Sequence, residues 1–248
     1  QPVTVKHKEL LMVRKVKHLK GAELRDCNAG NGIHLADALG DGRVSQIVIP
    51  APKLRVVTIP IVGTSPYVQN RFSEKALNQI IETQKAGSTA RGKRKREPKD
   101  FDAAFAGARH VLDDGSDGIP ASAFRSACIS ACRVAQFKMT LAKLSIFVLP
   151  DGFDRIDGTP LVKIIGPKPQ RHQAPARNTS GGVDVRTRPM WRQWSANVRI
   201  RFDADQFTEQ DVANLMMRAG MQVGIGEGRP DSPNSNGQGW GTFEIKEN

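Results

Sequence analysis

The sequence predicts an α+β fold, in which strands and amphipathic helices share one core. Residues 56–63 are rich in β-branched side chains, which favour a strand. Residues 195–202 alternate between apolar and polar side chains, as expected for a strand with one buried face. Residues 208–220 place apolar side chains three and four positions apart, which is the spacing of one helical face.

The composition narrows the functional class. The chain has 248 residues, a formal net charge of +12 and a pI near 10.0. A chain this basic favours a polyanionic partner, with nucleic acid ahead of an anionic membrane. No apolar run reaches the length of about 18 residues that a membrane span needs, so we expect no membrane insertion. Three cysteines do not make a disulfide framework and are typical of a reducing cytosol.

The chain divides by composition into two regions. Residues 1–50 are predicted to be an N-terminal extension, which we interpret as an arm that contacts a neighbouring subunit. Residues 51–248 are predicted to form the folded domain, with basic loops inserted at 86–99 and 151–192. The second loop is long and interrupted by proline and glycine, and a loop of this length is usually functional or disordered.

Further elements complete the predicted domain. Helices are expected from Ser73 to Lys85, over 101–112 and over 119–133, and a strand is expected over 141–149. Pro60 would place the 56–63 strand at a sheet edge or a bulge. The 119–133 helix should pack closely on a sheet through a face of mainly small residues, namely Phe124, Ala127, Cys128, Ala131 and Ala135.

Cys128 and Cys132 lie four positions apart on this helix. No further cysteine or histidine accompanies them at metal-ligand spacing, so we interpret both as buried small side chains. No other zinc-ligand pattern occurs, and we expect neither a metal nor a cofactor.

A helix, a glycine loop and a strand close the chain. Thr208 is a suitable N-cap, and Gly220 suits the left-handed position after a helix. The loop Gly224-Ile-Gly226-Glu-Gly228 follows a helix and precedes a strand, which is the reverse of a dinucleotide fingerprint. No Gly-Lys-Ser/Thr follows, which excludes a phosphate-binding P-loop. The alternative is a flexible connector with turn glycines.

Two stretches concentrate cations. Residues 91–96 predict either a solvated loop or a phosphate-gripping finger, with Arg91, Lys93, Arg94, Lys95 and Arg96 as its cations. Residues 163–192 form a basic arm, with candidate phosphate contacts at Arg177, Arg186 and Arg188.

Aromatic side chains and two helical cations extend this set. Trp191 lies among the arginines and is interpreted as a base-stacking side chain, whereas Trp194 is expected in the core. Arg125 and Arg133 share one stripe of the 119–133 helix.

Three motifs in order resemble the RAMP proteins of CRISPR systems, in particular their backbone subunits. The glycine loop ending at Arg229 is similar to the glycine-rich loop of that superfamily. Residues 119–125 (Ile-Pro-Ala-Ser-Ala-Phe-Arg) resemble a signature at the start of a helix, and residues 63–66 (Gly-Thr-Ser-Pro) resemble a strand-end motif. The same stretch also resembles a family of tailed-phage proteins.

The resemblance implies a modified ferredoxin-like (RRM-like) fold, an antiparallel sheet with helices on one face. It implies RNA binding along a groove, commonly by many copies in a helical filament. By position, Ser122 and Arg125 would lie near the nucleic-acid backbone, and Gly224, Gly226 and Arg229 would line it. The phage likeness places the protein in the cytoplasm of a bacterial host.

Catalytic signals are weak. His172 lies in the basic arm and is the best acid–base candidate. Asp151, Asp154 and Asp157 are spaced by three, and some related subunits cut RNA with a loop aspartate and a divalent metal. Turn formation explains such aspartates more simply.

We therefore expect a non-catalytic protein that binds single-stranded RNA or DNA through its phosphates and assembles as an oligomer or filament. A metal-dependent ribonuclease on the same fold is one alternative. The other is a protein-interaction module, for example a virion component or an inhibitor whose partner is a host CRISPR complex.

Overall fold

The structure is a computed structural model, and it describes residues 50–71, 78, 81–82, 84, 100–177, 183–232 and 237–246. Residues 1–49, the 86–99 loop with the five cations of residues 91–96, and most of the helix expected from Ser73 to Lys85 lie outside the described residues. The described elements belong to one unit, Ala51–Asn248. Within it, no described helix has the length and apolar character needed to cross a membrane.

Four α-helices and ten strands make up the described part of the chain. The helices are α1 Phe101–Gly107, α2 Ala121–Ala131, α3 Met139–Ser145 and α4 Glu209–Arg218, the last continued by a π-helical turn, Ala219–Val223. The strands are β1 Leu54–Gly63, β2 Tyr67–Val68, β3 Gly118–Pro120, β4 Ile146–Leu149, β5 Gly152–Phe153, β6 Pro160–Lys163, β7 Gln170–Arg177, β8 Val183–Trp191, β9 Ser195–Asp203 and β10 Phe243–Ile245.

The strands form three antiparallel sheets, which confirms the predicted α+β class. The largest sheet has the order β10-β1-β9-β4, and the two smaller sheets have the orders β2-β8-β7 and β3-β6-β5. β1 and β9 form the centre of the large sheet, with their residues paired from Leu54 opposite Asp203 to Val62 opposite Ser195. Helices α2 and α4 share a core with this sheet.

The alternation in β9 is confirmed. Ala196, Val198, Ile200 and Phe202 are buried beneath the helices. The intervening Asn197 and Arg201 are exposed, and Arg199 is half-buried. β9 therefore has one apolar face toward the helices and one polar face that carries two arginines.

Pro60 lies in an interior strand rather than at the sheet edge that the sequence predicted. β10 pairs with β1 only from Ile61 to Gly63, and Lys246 then donates its backbone N–H to the Pro60 carbonyl. Because the N and the carbonyl of one strand residue point to the same side, the missing N–H falls where the β10 ladder ends.

Helix α4 begins as predicted and ends differently. Thr208 and Asp211 form a reciprocal capping box, and Val212, Leu215, Met216 and Ala219 are buried. Gly220 does not adopt a left-handed conformation, because the chain continues into the π-helical turn and reverses only at Gly224, with φ +70°. A Cβ on Gly220 would stand 2.0 Å from the Phe243 carbonyl oxygen, so the glycine serves close packing on β10.

Helix α2 buries the predicted face. Phe124, Ala127, Cys128 and Ala131 are all buried, whereas Ala135 lies beyond the helix and is exposed. Burial raises the pKa of the Cys128 thiol to about 12, which keeps it neutral. Cys128 and Cys132 are therefore core side chains, as expected.

Two predicted elements are wrong. The strand expected over 141–149 begins with helix α3 and becomes β4 only at Ile146, because Met139-Thr-Leu-Ala-Lys-Leu is rich in helix-forming residues. The long loop expected over 151–192 contains four strands. Of these, β7 and β8 form an antiparallel ribbon whose polar side chains obscured its alternation, and Pro175 is tolerated because β7 is an edge strand.

Replacing Gly220 with alanine is expected to destabilise the domain by about 2–3 kcal/mol, because a collision with a backbone oxygen cannot be relieved by rotating a side chain. Urea denaturation measures the change. Met221→Ala in the same turn is the control, expected to shift stability by less than about 0.5 kcal/mol because Met221 is 70% exposed. An unchanged unfolding midpoint for Gly220→Ala would contradict this packing.

Candidate functional site

A cleft of about 480 Å³ separates helix α2 from the glycine loop. One wall is the serine-bearing side of α2, and the other is the segment Val223–Glu227 with Arg229. His110, Gln69 and Tyr67 also line the cleft.

The α2 wall carries a row of hydroxyl groups. Ser122, Ser126 and Ser130 follow one another at four-residue intervals, which places them on one helical face about 6 Å apart along the axis. No described residue forms a hydrogen bond with any of these three hydroxyls. They are therefore available to a ligand along the length of the helix.

The glycine wall is fixed by backbone hydrogen bonds. Ile225 N–H donates to Gly241 O (3.0 Å), and Glu227 N–H donates to Val68 O (2.9 Å). At Gly226 φ is +79°, and a Cβ there would stand 2.5 Å from Val68 O. These contacts argue against the flexible-connector alternative. The Gly226 N–H finds no acceptor among the described residues, so it can donate to a ligand.

Ion pairs connect the glycine-loop segment to both of its neighbours. Arg133, near the end of α2, pairs with Asp231 at 2.5 Å. On the other side Arg188 of β8 donates to Glu227 at 2.7 Å, and Arg186 lies 3.9 Å from the same carboxylate. The loop is thus held between the helix and the β7–β8 ribbon by exposed or partly exposed pairs that a charged ligand can disrupt.

A histidine–aspartate pair lies where His110 borders the cleft. Nδ1 of His110 stands 2.9 Å from Oδ2 of Asp154, and the His110 backbone N–H donates to Gln69 at 2.9 Å. His110 is 8% exposed and Asp154 is 3% exposed. Gln69 in turn donates to Tyr67 Oη at 3.1 Å, so the floor is one hydrogen-bonded network.

Asp154 stays ionised although it is buried. Burial acts to raise its pKa, but hydrogen bonds from the Ile156 backbone and His110, together with the Arg71 charge, hold the pKa below its usual range. Arg71 Nε lies 3.8 Å from Asp154 and 3.0 Å from Asp157. The guanidinium therefore neutralises both carboxylates from within the fold.

His110, Asp154 and Asp157 also form a group of potential metal ligands, with one ligand atom from each within 4.8 Å of the others. Arg71 already supplies a positive charge at both carboxylates, and His110 Nδ1 is engaged with Asp154. A divalent ion at this position would have to displace the arginine, so the arrangement fits an internal ion pair better than a metal centre.

Four predicted contacts meet in the cleft. Ser122 lies on the α2 wall, and Gly224, Gly226 and Arg229 lie on the glycine wall. Arg229 is half-buried and donates to Gly226 O at 3.3 Å, so its guanidinium stays beside the loop.

Arg125 is not among the residues that line the cleft. Its Nε donates to Ile146 O at 2.9 Å, a second nitrogen reaches Lys143 O, and the guanidinium stands 5.1 Å from the centre of the Phe147 ring. These contacts give it a structural role between α2, α3 and β4. Arg133, Arg186 and Arg188 hold the ion pairs beside the cleft, and Arg177 lies on β7.

Trp191 cannot stack on a base in this conformation, which corrects the sequence interpretation. Its side chain is 1% exposed and packs on Tyr67, with ring centroids 5.5 Å apart. Position 191 pairs with Tyr67 of β2, and both side chains belong to the hydrophobic core. Trp194 is also buried, as predicted, and donates from Nε1 to Ser65 O.

The weak catalytic candidates do not come together as one set. Asp151 is exposed, accepts from Lys163 N–H and lies 3.3 Å from Arg199. His172 lies on β7 with its ring edge-on to Trp240. Asp154 and Asp157 accept from backbone N–H groups two residues ahead of them, which supports their turn-forming role.

Sequence reasoning missed His110, Ser126 and Ser130. The serine spacing was a usable signal, because a hydroxyl at every fourth position defines one helical face. His110 gave no signal, because its partner Asp154 lies 44 positions away in the chain.

No protein-family model matches the chain, and no curated protein is similar to it in sequence. The resemblance to RAMP proteins and to tailed-phage proteins therefore stays a prediction. The cleft must be interpreted from its own geometry.

Replacing Arg71 with methionine is expected to destabilise the domain by about 3 kcal/mol, because the buried Asp154 carboxylate then lacks its compensating positive charge. Adding Asp154→Asn should recover part of that loss, because the neutral amide no longer needs the guanidinium. Urea denaturation of the single and double variants gives the coupling free energy. Strictly additive losses would contradict the internal ion pair.

Proposed function

We propose that the chain binds single-stranded nucleic acid in the cleft between α2 and the glycine loop, without catalysing a reaction. The observation that carries this proposal is the convergence of Ser122, Gly224, Gly226 and Arg229 on one cleft, although they come from segments about 100 residues apart. Each contributes a hydrogen-bond donor or permits close approach of the backbone, and phosphate oxygens are acceptors.

The dimensions and chemistry of the walls suit a sugar–phosphate backbone. The α2 hydroxyls repeat at about 6 Å, a spacing comparable with that of successive phosphates in an extended strand. Opposite them, the free Gly226 N–H and the Arg229 guanidinium provide donors to an anion. Such contacts position a strand without distinguishing its bases, so low sequence specificity is expected.

The net charge supports the same partner. A formal charge of +12 attracts a polyanion over long range, and release of counterions then adds to the affinity. Around the cleft, Arg133, Arg186 and Arg188 are each paired with a carboxylate of the glycine-loop segment. An incoming phosphate can replace Glu227 or Asp231 as the partner of these arginines.

We propose a ferredoxin-like architecture for the large sheet, and the order of its strands supports it. Numbered within the sheet, β1, β4, β9 and β10 are strands one to four, and their spatial order is 4-1-3-2. Helix α2 lies between the first and second strands, and α4 lies between the third and fourth. This β-α-β-β-α-β order is the ferredoxin-like motif, and the glycine loop occupies its last connection.

We further propose that several copies assemble along one strand, as an oligomer or filament. A repeating sugar–phosphate backbone offers the same contacts at every position, so further copies of the protein can bind next to the first. The biological setting that fits is a phage protein acting on strands in a bacterial host.

A metal-dependent ribonuclease is the second candidate, and the grouping of His110, Asp154 and Asp157 favours it. The pairing of Arg71 with both carboxylates opposes it. Incubating labelled RNA with the protein and Mg²⁺ or Mn²⁺, beside an Asp157→Asn variant, separates the two functions. Cleavage by the wild type that the variant loses would establish the nuclease.

A protein-interaction module, such as a virion component or an inhibitor of a host CRISPR complex, is the third candidate, supported only by the basic surface. It predicts nucleic-acid affinity no higher than that of any cationic protein, and function that survives loss of the cleft donors.

Two substitutions in the cleft should change nucleic-acid affinity in opposite directions. Arg229→Ala removes a phosphate donor and is expected to weaken binding about tenfold and to reduce the salt dependence by about one counterion. Glu227→Gln removes a carboxylate that repels phosphate and occupies Arg188, and should strengthen binding roughly fivefold. Fluorescence anisotropy with a labelled single strand across a salt series measures both.

Lys53→Ala is the matched control, because it removes one positive charge from an exposed side chain that does not line the cleft. It is expected to alter affinity by less than about twofold. Equal effects of Lys53→Ala and Arg229→Ala would mean that the strand binds by overall charge and would contradict the cleft.

A further inference from the structure

We propose that Nε2 of His110 accepts a hydrogen bond from a ribose 2′-hydroxyl, so that the cleft binds RNA in preference to DNA. This inference rests on the proposed function and specifies its substrate class. It depends on the state of the imidazole ring, on what faces Nε2 and on the donors that each polymer carries.

Asp154 determines which ring nitrogen carries the proton. Its Oδ2 accepts from Val111 N–H at 3.2 Å and its Oδ1 from Ile156 N–H at 2.8 Å, and Arg71 Nε lies 3.8 Å away. These contacts keep the group an ionised acceptor, so Nδ1 of His110 must be the donor in their 2.9 Å contact. In the neutral ring, Nε2 then carries a lone pair and no proton.

Nε2 is the ring atom left for a ligand. His110 is one of the residues that line the cleft, although it is more than nine-tenths buried. In the part of the chain that the structure describes, Nε2 has no hydrogen-bond partner. Before a strand binds, solvent alone can satisfy it.

This acceptor differs in kind from the groups around it. The Gly226 N–H and Arg229 are donors, and the serine hydroxyls can donate, so they suit phosphate oxygens. Glu227 is another acceptor in the lining, and Arg188 already occupies it at 2.7 Å. Nε2 is therefore an acceptor that no described protein group satisfies, and a ligand that covers it must supply the proton.

RNA and DNA differ in whether their backbone can supply a proton to Nε2. Phosphate and ring oxygens of the backbone only accept, whereas the 2′-hydroxyl of ribose both donates and accepts. Donors on the bases are common to RNA and DNA and cannot separate them. A DNA backbone that covers His110 leaves Nε2 without water and without a partner, and an unpaired buried acceptor weakens binding.

The test compares strands of identical length and base sequence. Oligouridine, oligodeoxyuridine and 2′-fluoro-oligouridine are titrated against the full chain by fluorescence anisotropy. The 2′-fluoro strand keeps the sugar conformation of RNA but has no donor. Wild type is expected to bind RNA roughly tenfold more tightly than either of the other two. If the 2′-fluoro strand binds as tightly as RNA, strand shape sets the preference and the proposal is overturned.

Two histidine variants provide matched readouts. His110→Asn places an amide N–H near Nδ1 and keeps the Asp154 contact, but it has no acceptor at the Nε2 position. It should therefore abolish the difference between the RNA and DNA affinities, because RNA loses its acceptor and DNA no longer leaves one unpaired. His110→Gln places a carbonyl oxygen near Nε2 and should retain part of the preference. An equal loss for RNA and DNA in His110→Asn would show a structural role and contradict the proposal.

Failure of this inference differs from failure of the proposed function. If RNA and DNA bind equally and Arg229→Ala weakens both, the cleft still binds nucleic acid and only the role of His110 is wrong. If Arg229→Ala and His110→Asn change neither affinity, the strand does not enter the cleft and both proposals fall.

Discussion

The buried carboxylate of Asp154 is the contact on which the floor of the cleft depends. It joins Arg71, His110 and three backbone N–H groups, and so ties the 151–159 turn to the segment around residue 110. A charge buried in this way is stable only with its partners in place, so the network is fixed as a unit. Its structural result is that Nδ1 of His110 is engaged with Asp154, whereas Nε2 has no partner among the described residues.

The second constraint is the anchoring of the glycine loop. Gly226 lets the loop backbone lie close to Val68. The hydrogen bond from Ile225 N–H to Gly241 O joins the loop to the segment just before β10. The loop therefore holds a fixed distance from α2, and the ion pairs Arg133–Asp231 and Arg188–Glu227 steady it from both sides. In the function we propose, a rigid wall of donors opposite a row of hydroxyls would allow backbone contacts to repeat along a strand.

Much of this fold was predictable from the sequence, because strong periodicity and caps act locally. The alternation of β9, the N-cap at Thr208 and the buried face of α2 were all predicted correctly. Prediction was wrong where tertiary contacts decide the outcome. Much of the β7–β8 ribbon is polar, although Thr187, Met190 and Trp191 of β8 are buried, and Gly220 serves close packing rather than a left-handed turn. For the site, the glycine loop and Ser122 were found from motifs, but Trp191 was placed on the wrong face and His110 was missed because its partner is distant in sequence.

The central claim is that a single strand lies between α2 and the glycine loop. Ultraviolet crosslinking of a strand that carries a photoreactive uridine, followed by mass spectrometry of the modified peptides, tests it directly. If the strand lies there, crosslinks are expected within residues 121–131 and 223–229. Crosslinks confined to the 91–96 segment or to the β7–β8 ribbon, with none in those two walls, would contradict it and assign binding to the exposed basic surface.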